Sequence, residues 1–286
     1  TLKMSGRGRN RRGNRSHHHN QNHTLSSVAK ETAESLPADS PVLALFKATA
    51  QKLTERQDRH ERLVKLSRDI TIESKRIIFL LHSSITKESA DKVLQEAKER
   101  IQKLIQGPLK YIGLELEHSP AHLHGRAVTA GFQEFIEAWT FFTLMERKEI
   151  ISWKDVQTQL TYTVAAKDSE EERTVVTMLT YNDYMLGVAD LTGELMRKAI
   201  NSISSGDSED CFYACQVVRD LYTGYCGLFG SGRELARKTS TTRASVAKVE
   251  GAVYALRVRG GEAPAPLLLP RPDLWERDHD EDEGFY

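Results

Sequence analysis

Four acidic side chains in two separate stretches have the types and the spacing that a divalent-metal site requires. Glu134 and Glu137 lie in GFQEFIEAW, and Asp190 and Glu194 lie in GVADLTGELMR. Each residue of a helix rotates the side chain by about 100°, so spacings of three and four place each pair on one face. Carboxylate oxygens are the ligands that Mg²⁺ and Mn²⁺ prefer. The pattern predicts a metal site, although the same spacing is also common on solvated helix faces.

The surroundings of the first pair differ from those of an ordinary solvated face. Glu134 and Glu137 interrupt a helical stripe whose other members are apolar, namely Ala127, Ala130, Ala138, Phe141, Leu144 and Met145. A charge in an apolar stripe needs a partner, because burial without one is costly. We therefore expect these two glutamates to be the hardest of the four acids to explain without a bound cation.

The second pair lies in a stretch that is poorly suited to forming a helix. Asp190 and Glu194 share their face with Leu186, Gly187, Gly193 and Arg197. Glycine and aspartate have low helix propensity, and such local costs often mark a functional site. The two glycines are expected to leave room beside the acids. Arg197 is a candidate RNA-phosphate contact, or else the partner of an ion pair with Asp190 or Glu194.

A long first helix is predicted from Ser40 and Pro41, which form a capped helix start. No glycine and no further proline follows before His82. The helix has a seam that needs other helices along it: Phe46, Leu53, His60, Leu63, Ser67, Ile70, Ser74, Ile77 and Leu81. Its other faces carry cations interleaved with acids, which is typical of a salt-bridged solvated surface. Lys65 and Arg68 are the candidates among them for binding RNA phosphates.

The rest of the chain continues the helical pattern. Further helices are predicted at about 86–106, 109–117, 120–149, 152–160, 180–206, 207–230 and 231–260. Gly107 and Pro108 separate the first two of these stretches, which together count as one interrupted helix. Residues 174–180 are rich in β-branched side chains and favour a short extended piece that is too isolated to build a sheet. The prediction is an all-α protein with a single bundle domain of about seven helices.

The two ends of the chain are expected to be solvated extensions of a domain at 40–260. Residues 1–39 form a basic, His-rich arm that reads as disordered, and 261–286 form a proline-containing acidic tail, although the whole chain has no formal net charge. The arm is an import signal, a nonspecific nucleic-acid contact or a tail without function. His118, His122 and His124 suggest zinc only weakly, because Pro120 lies between the first two.

The expected location is the cytoplasm and the nucleus, without a membrane partner. No apolar run has membrane-spanning length, and no signal peptide opens the sequence. Cys211, Cys215 and Cys226 lie on apolar helical stretches and are expected to be buried, reduced thiols.

Four stretches of the chain together resemble the translin family and, within it, the subunits that associate with translin. They are ERLVKLSRDITIESKRIIFLLH, GFQEFIEAWTF, DYMLGVADLTGELMRKAINS and VAKVEGAVYALRVRG. The likeness covers residues 41–260, and the terminal extensions do not contribute to it. It implies a translin-type bundle of seven helices with a very long first helix.

The resemblance also implies a function. Such a subunit joins translin in a hetero-oligomeric shell that acts as a magnesium-dependent endoribonuclease on single-stranded RNA and removes the nicked passenger strand of a small-RNA duplex. Its catalytic acids correspond to Glu134, Glu137, Asp190 and Glu194. We expect the first three to bind Mg²⁺, or alternatively Mn²⁺, and Glu194 to be a further ligand or to orient the attacking water. The alternative is a non-catalytic helical scaffold in which the acids only form interhelical ion pairs.

Overall fold

A computed structural model describes residues 40–83, 87–117, 119, 123–165, 172–205, 208–228 and 232–259. The helices are α1 (Pro41–His82), α2 (Lys87–Leu104), α3 (Lys110–Leu116), α4 (Gly125–Arg147), α5 (Trp153–Gln159), α6 (Tyr181–Ser205), α7 (Ser208–Cys226) and α8 (Arg233–Arg259). A π-helical turn, Ile105–Leu109, joins α2 to α3. Counted as one segment, these two give seven helical segments in the described part of the chain. The predicted all-α bundle with a long first helix is confirmed, while the arm at 1–39 and the tail at 261–286 lie outside the described residues.

The chain divides into two compact units, with the boundary between Asp58 and Arg59 inside α1. In the first unit, Ser40 begins the helix as predicted, because its Oγ accepts a hydrogen bond from the Leu43 backbone N at 3.4 Å. The seam residues Phe46 and Leu53 are exposed here, at 67% and 58%. Within this unit no described helix covers them, so the prediction that another helix packs along this part of the seam stays a prediction.

In the second unit the predicted seam of α1 is buried. Leu63, Ile70, Ile77 and Leu81 belong to the main hydrophobic core. The spacing of three, four and seven residues puts them on one face of the helix, so a single neighbour can cover them all. Part of that cover is α4, whose Gly131 N donates a hydrogen bond to Ser67 Oγ of α1 at 3.1 Å.

Helix α6 lies at the centre of the bundle and packs against α4, α7 and α8. Val188, Leu195 and Ala199, on the side of the helix opposite the acids, are buried. The face with the acids also meets another helix at Gly187. A Cβ at that position would lie 2.7 Å from the Gln133 carbonyl oxygen of α4. Glycine is required here because the two helix backbones approach so closely, and this approach brings their acids together.

A two-stranded antiparallel sheet departs from the purely helical prediction. Strands β1 (Thr161–Ala165) and β2 (Glu172–Val176) pair in the register Thr161 with Val176 and Ala165 with Glu172. The extended character of the second strand was predicted, but the expectation that it is too isolated for a sheet is wrong. Its partner is the equally β-branched TYTVA segment, whose Tyr162 donates a hydrogen bond to the Ile105 carbonyl at 2.9 Å.

Several local predictions are also settled. Pro108 lies in the π-helical turn, where Gly107 departs from helical backbone angles, so the predicted interruption is confirmed. Cys211 and Cys215 are buried free thiols, but Cys226 is exposed, contrary to the prediction. Among the helices of the described ranges, none combines the length and the apolar character needed to cross a bilayer.

Candidate functional site

The four predicted acids lie on two adjacent helices in the centre of the second unit. Glu134 and Glu137 are half-buried on α4, and Asp190 and Glu194 are half-buried on α6. Their neighbours along each helix are deeply buried, including Phe135 with no exposed surface. The acids therefore lie at the edge of the core rather than on a solvated face.

Electrostatic coupling shows that the two pairs face each other. The pKa of Glu137 is raised from 4.5 to about 8, first because burial opposes the charged carboxylate and then because Asp190, Glu134 and Glu194 repel it. Lys238 of α8 opposes this rise. Like charges close to one another disfavour ionisation, so Glu137 lies near enough to the other three acids for their charges to interact. That the four acids form one metal site stays a prediction.

Glu137 is the acid without a partner in this cluster. Its carboxylate has no hydrogen bond or ion pair to any residue in the described ranges. A buried charge without a partner is costly and normally becomes neutral or binds a cation. With a pKa of about 8 this carboxyl is largely neutral at pH 7, so the binding of a cation by Glu137 stays a prediction.

Glu134 has a partner in the protein itself. Lys75 Nζ of α1 lies 3.0 Å from Glu134 Oε1. The hydrogen bond and the charge of the carboxylate raise the pKa of Lys75 above its usual value. Lys75 is exposed and forms an ion pair, as expected for the cations of α1. Its partner Glu134 therefore depends less on an external cation than the sequence suggested.

Glu194 is held from two sides. His82 Nε2, at the end of α1, lies 2.6 Å from Glu194 Oε2, and Arg197 Nη1 lies 3.3 Å from the same oxygen. Burial opposes the charge of Glu194, but the hydrogen bond with His82 and the positive charge of Arg197 outweigh it and hold the pKa of that carboxyl below its usual value. The His82 ring also contacts Phe141, with 4.9 Å between ring centroids.

Asp190 contacts the ammonium group of Lys238, which comes from α8. The site thus combines residues of α1, α4, α6 and α8. Sequence reasoning missed both Lys238 and His82. The available signal for His82 was its position one residue after the apolar seam, at the end of α1, whereas no spacing pattern linked Lys238 to the acids.

The remaining predicted site residues have less contact with the cluster. Arg197 forms an ion pair with Glu194, which was the alternative to an RNA-phosphate contact, and its side chain is 57% exposed. Lys65 and Arg68 are exposed on α1, and Arg68 precedes Lys75 by two helical turns on the same face. Whether these three contact RNA stays a prediction.

The described residues do not form a ready-made metal cage. Within the described ranges, no group of three or more His, Cys, Asp or Glu side chains is close enough together to hold an ion. Instead, lysine, arginine and histidine side chains pair with three of the four carboxylates. His118 and His122 of the weak zinc alternative lie outside the described residues, and His124 is buried.

Comparison with known proteins decides the family. The model of the Translin family matches residues 58–260. Translin-associated protein X of Mus musculus is 42% identical over 241 residues, which cover 80% of this chain and 83% of that protein. The chain belongs to the translin family. A Schizosaccharomyces pombe homologue of translin-associated protein X is 30% identical over 212 residues, covering 72% of this chain and 84% of that protein.

Solved structures support the translin-type fold. The AfC3PO structure in complex with duplex RNA aligns with a TM-score of 0.56, covering 76% of this chain and 99% of that one. At 20% sequence identity this likeness shows the fold alone. It is consistent with the family membership and with the helical order described above.

Proposed function

We propose that this chain is the catalytic subunit of a translin-containing, Mg²⁺-dependent endoribonuclease that cleaves single-stranded RNA. The observation that carries the proposal is Glu137, a half-buried carboxylate without a partner that faces three other acids. The name of its relatives, translin-associated protein X, supports translin as the partner. The fold neighbour in complex with duplex RNA supports RNA as the ligand.

The donor chemistry of the cluster suits Mg²⁺ or Mn²⁺, and binding would require the carboxylates to move closer together than they lie among the described residues. All four donors are carboxylates, which suit these hard cations. A divalent ion would also remove the repulsion that raises the pKa of Glu137. Glu134, Glu137 and Asp190 would hold it, with Glu194 as a further ligand or as the residue that orients the attacking water. When bound, such an ion polarises the scissile phosphate and makes water a better nucleophile.

The cationic residues of the cluster have a role in binding the substrate. Lys75, Lys238 and Arg197 carry N–H donors beside the carboxylates. Such donors form charge-assisted hydrogen bonds with phosphate oxygens. They can therefore hold the RNA backbone on either side of the scissile bond. His82 keeps the Glu194 carboxylate in a fixed orientation, which is what the positioning of a water molecule needs.

The broader biological role follows from the same proposal. The proposed activity includes removal of the nicked passenger strand of a small-RNA duplex, which the family resemblance implies. The complex would act in the cytoplasm and in the nucleus, and the exposed Lys65 and Arg68 would add phosphate contacts along α1.

The test is RNA cleavage by the complex assembled from this chain and translin. Single-stranded RNA is incubated with Mg²⁺ and with complexes that contain either the wild-type chain or the Glu134→Ala/Glu137→Ala variant. Loss of cleavage in a correctly assembled variant is expected, because the ligands of α4 are gone. Glu146→Ala is the matched control, since Glu146 lies on the same helix but pairs with Lys98 at 3.7 Å. Undiminished cleavage by the double variant contradicts the proposal.

A second candidate function is a non-catalytic scaffold, and the ion pairs are the observation that favours it. Three of the four acids already have cationic partners on other elements or one turn away. In a scaffold these pairs would only join helices. In that case neither Mg²⁺ nor Mn²⁺ would change the thermal unfolding of the complex, whereas a metal-induced rise in Tm that disappears in the double variant would exclude it.

A further inference from the structure

A groove of about 810 Å³ lies between the N-terminal parts of α4, α6 and α8, outside the acid cluster. Arg126 of α4 and both Arg237 and Lys238 of α8 line it. None of the predicted site residues belongs to this lining. The groove is large enough to hold part of an extended polymer chain, and cations are its main charged groups.

The groove leads to the acid cluster. Lys238 lines the groove while its ammonium group contacts Asp190. Along α4, Gln133 lines the groove one turn before Glu137, and along α6, Leu186 lines it one turn before Asp190. A chain that lies in the groove therefore reaches the carboxylates by following the helices in the direction of their C-termini.

Two guanidinium groups in the groove are available to a ligand. Arg126 and Arg237 are exposed, and neither has a hydrogen bond or an ion pair to any residue that the structure describes. Of the two acids in the lining, Asp183 is buried and is engaged in capping α6, where its Oδ2 accepts a hydrogen bond from Thr180 Oγ1 at 2.7 Å. The other acid, Glu234, is outnumbered by the two arginines.

We propose that this groove binds the sugar–phosphate backbone of single-stranded RNA on one side of the scissile bond, with Arg126 and Arg237 contacting phosphates. This inference rests on the proposed function. Arginine suits the task because its planar guanidinium donates paired hydrogen bonds to phosphate oxygens. None of the described lining residues is aromatic, so base stacking does not contribute. The groove would therefore bind U-rich and A-rich RNA alike.

The test measures RNA binding separately from cleavage. The complex of the full-length chain with translin is titrated against fluorescently labelled single-stranded RNA in the presence of a chelator, at several salt concentrations. Arg126→Ala/Arg237→Ala is expected to weaken binding on the order of tenfold. Each lost phosphate contact should make the slope of log K against log salt concentration shallower by about 0.7, so the double variant should change it by about 1.4.

Matched variants isolate the groove from general charge effects. Arg147→Ala/Arg243→Ala removes the same number of arginines from the same two helices, and both of these residues are exposed outside the groove. This control should bind as the wild type does. Arg126→Lys/Arg237→Lys retains the charge and should restore most of the salt slope. Equal affinities and slopes in the groove variant and the control contradict the inference.

A cross-linking experiment covers the case in which the double variant fails to fold. In a Cys226→Ser background, which removes the exposed native thiol, Ala130→Cys places a photo-cross-linker in the groove. Ala244→Cys places it on an exposed part of α8 outside the groove. RNA should cross-link to the first and not to the second. Equal cross-linking, or cross-linking only at position 244, overturns the inference.

These outcomes distinguish the groove from the proposed function. Binding that depends on Arg126 and Arg237, in a complex that fails to cleave RNA with Mg²⁺, refutes the catalytic proposal and supports the groove. Cleavage by the wild type together with unchanged binding in the groove variant refutes the groove alone. A wild-type complex that does not bind single-stranded RNA refutes the groove.

Discussion

Asp210 and Glu137 are two partly buried acids of the same bundle whose surroundings act on their charge in opposite ways. Asp210 of α7 lies 2.8 Å from Lys198 and 3.5 Å from Lys148. Burial opposes its charge, but the two ammonium groups outweigh burial and hold the pKa of Asp210 below its usual value. Around Glu137, burial and three carboxylates act together and raise the pKa to about 8.

The difference separates an ion cluster that the protein completes by itself from one that it leaves incomplete. The Asp210 cluster has two cations for one acid. Its ion pairs join α7 to α6 and to the end of α4. In the cluster of Glu137, basic side chains pair with the other three acids, and Glu137 is the surplus acid that is left without a partner among the described residues. With a pKa of about 8 this acid is largely neutral near pH 7, and a divalent cation that displaces its proton is the ligand we propose for it.

The largest expected effect is on cleavage. Glu137→Gln removes the central carboxylate while keeping the size of the side chain. Cleavage of single-stranded RNA by the assembled complex should fall at least 100-fold. Removal of an outer-shell partner of a metal ligand already costs up to about 100-fold, and Glu137 is proposed as a ligand itself. Asp210→Asn is the control from the other cluster and should leave the rate nearly unchanged. Similar rates for the two variants would remove the distinction between the clusters.

The second effect concerns His82, which sequence reasoning missed. His82→Ala removes the hydrogen bond that orients Glu194, so metal affinity, measured by titration with Mn²⁺, should fall about 10- to 100-fold. His60→Ala is the control, because His60 lies on the same helix and faces His124 instead, with 6.3 Å between ring centroids. Unchanged metal affinity in His82→Ala would mean that the hydrogen bond between His82 and Glu194 does not contribute to metal binding.

The third effect concerns the helix contact that brings the acids together. Gly187→Ala places a Cβ 2.7 Å from α4 and should destabilise the fold by about 1–3 kcal/mol, as overpacking does. Gly193→Ala meets no atom within 4 Å and should be neutral or stabilising by up to about 1 kcal/mol. Thermal unfolding of both variants measures the difference. Equal stabilities of the two variants would show that the contact between α4 and α6 relaxes enough to accept a methyl group at position 187.

The sequence predicted most of this architecture, but not the contacts that decide its chemistry. Helical periodicity identified the seam of α1, the two acid pairs and their faces, because each is a property of one helix. The partners Lys75, His82 and Lys238 come from other helices, and a single sequence contains no signal for such pairings. Gly187 was expected to leave room beside the acids, whereas the structure uses it for close helix packing.

The strand that pairs with residues 172–176 was missed for a related reason. Thr161–Ala165 follows directly after a short helix, and five residues are too few to show a clear alternation. The family resemblance carried the functional assignment further than the spacing did. It supplied the link between α4 and α6 that periodicity alone could not.

The fourth effect is a pH dependence of opposite sign in the two clusters. Because the folded pKa of Glu137 is raised to about 8 from 4.5, the folded state binds more protons in this window, and stability falls as pH rises through it. Asp210 has a lowered folded pKa, so its contribution is present above 3.8 and is lost as pH falls through the folded value. In chelator, the Tm of the wild type should fall by a few degrees between about pH 5 and about pH 8 relative to Glu137→Gln. Parallel curves would contradict the assigned pKa.

The smallest effect is the stability of the completed cluster. Asp210→Asn should destabilise the fold by roughly 1 kcal/mol at neutral pH, because the two lysines lose their counter-charge while remaining partly exposed. Chemical denaturation measures this change. A loss much larger than that would mean that Asp210 is as strongly coupled to its surroundings as Glu137 is.

We propose that Glu137, the surplus acid, binds a divalent cation. Titration with Mn²⁺ followed by electron paramagnetic resonance measures that binding. The complex with translin is titrated with Mn²⁺ for the wild type, Glu137→Gln and Asp210→Asn. We expect a bound-Mn²⁺ signal in the wild type and in Asp210→Asn, and its loss in Glu137→Gln. Binding of Mn²⁺ by Glu137→Gln with wild-type affinity would contradict it.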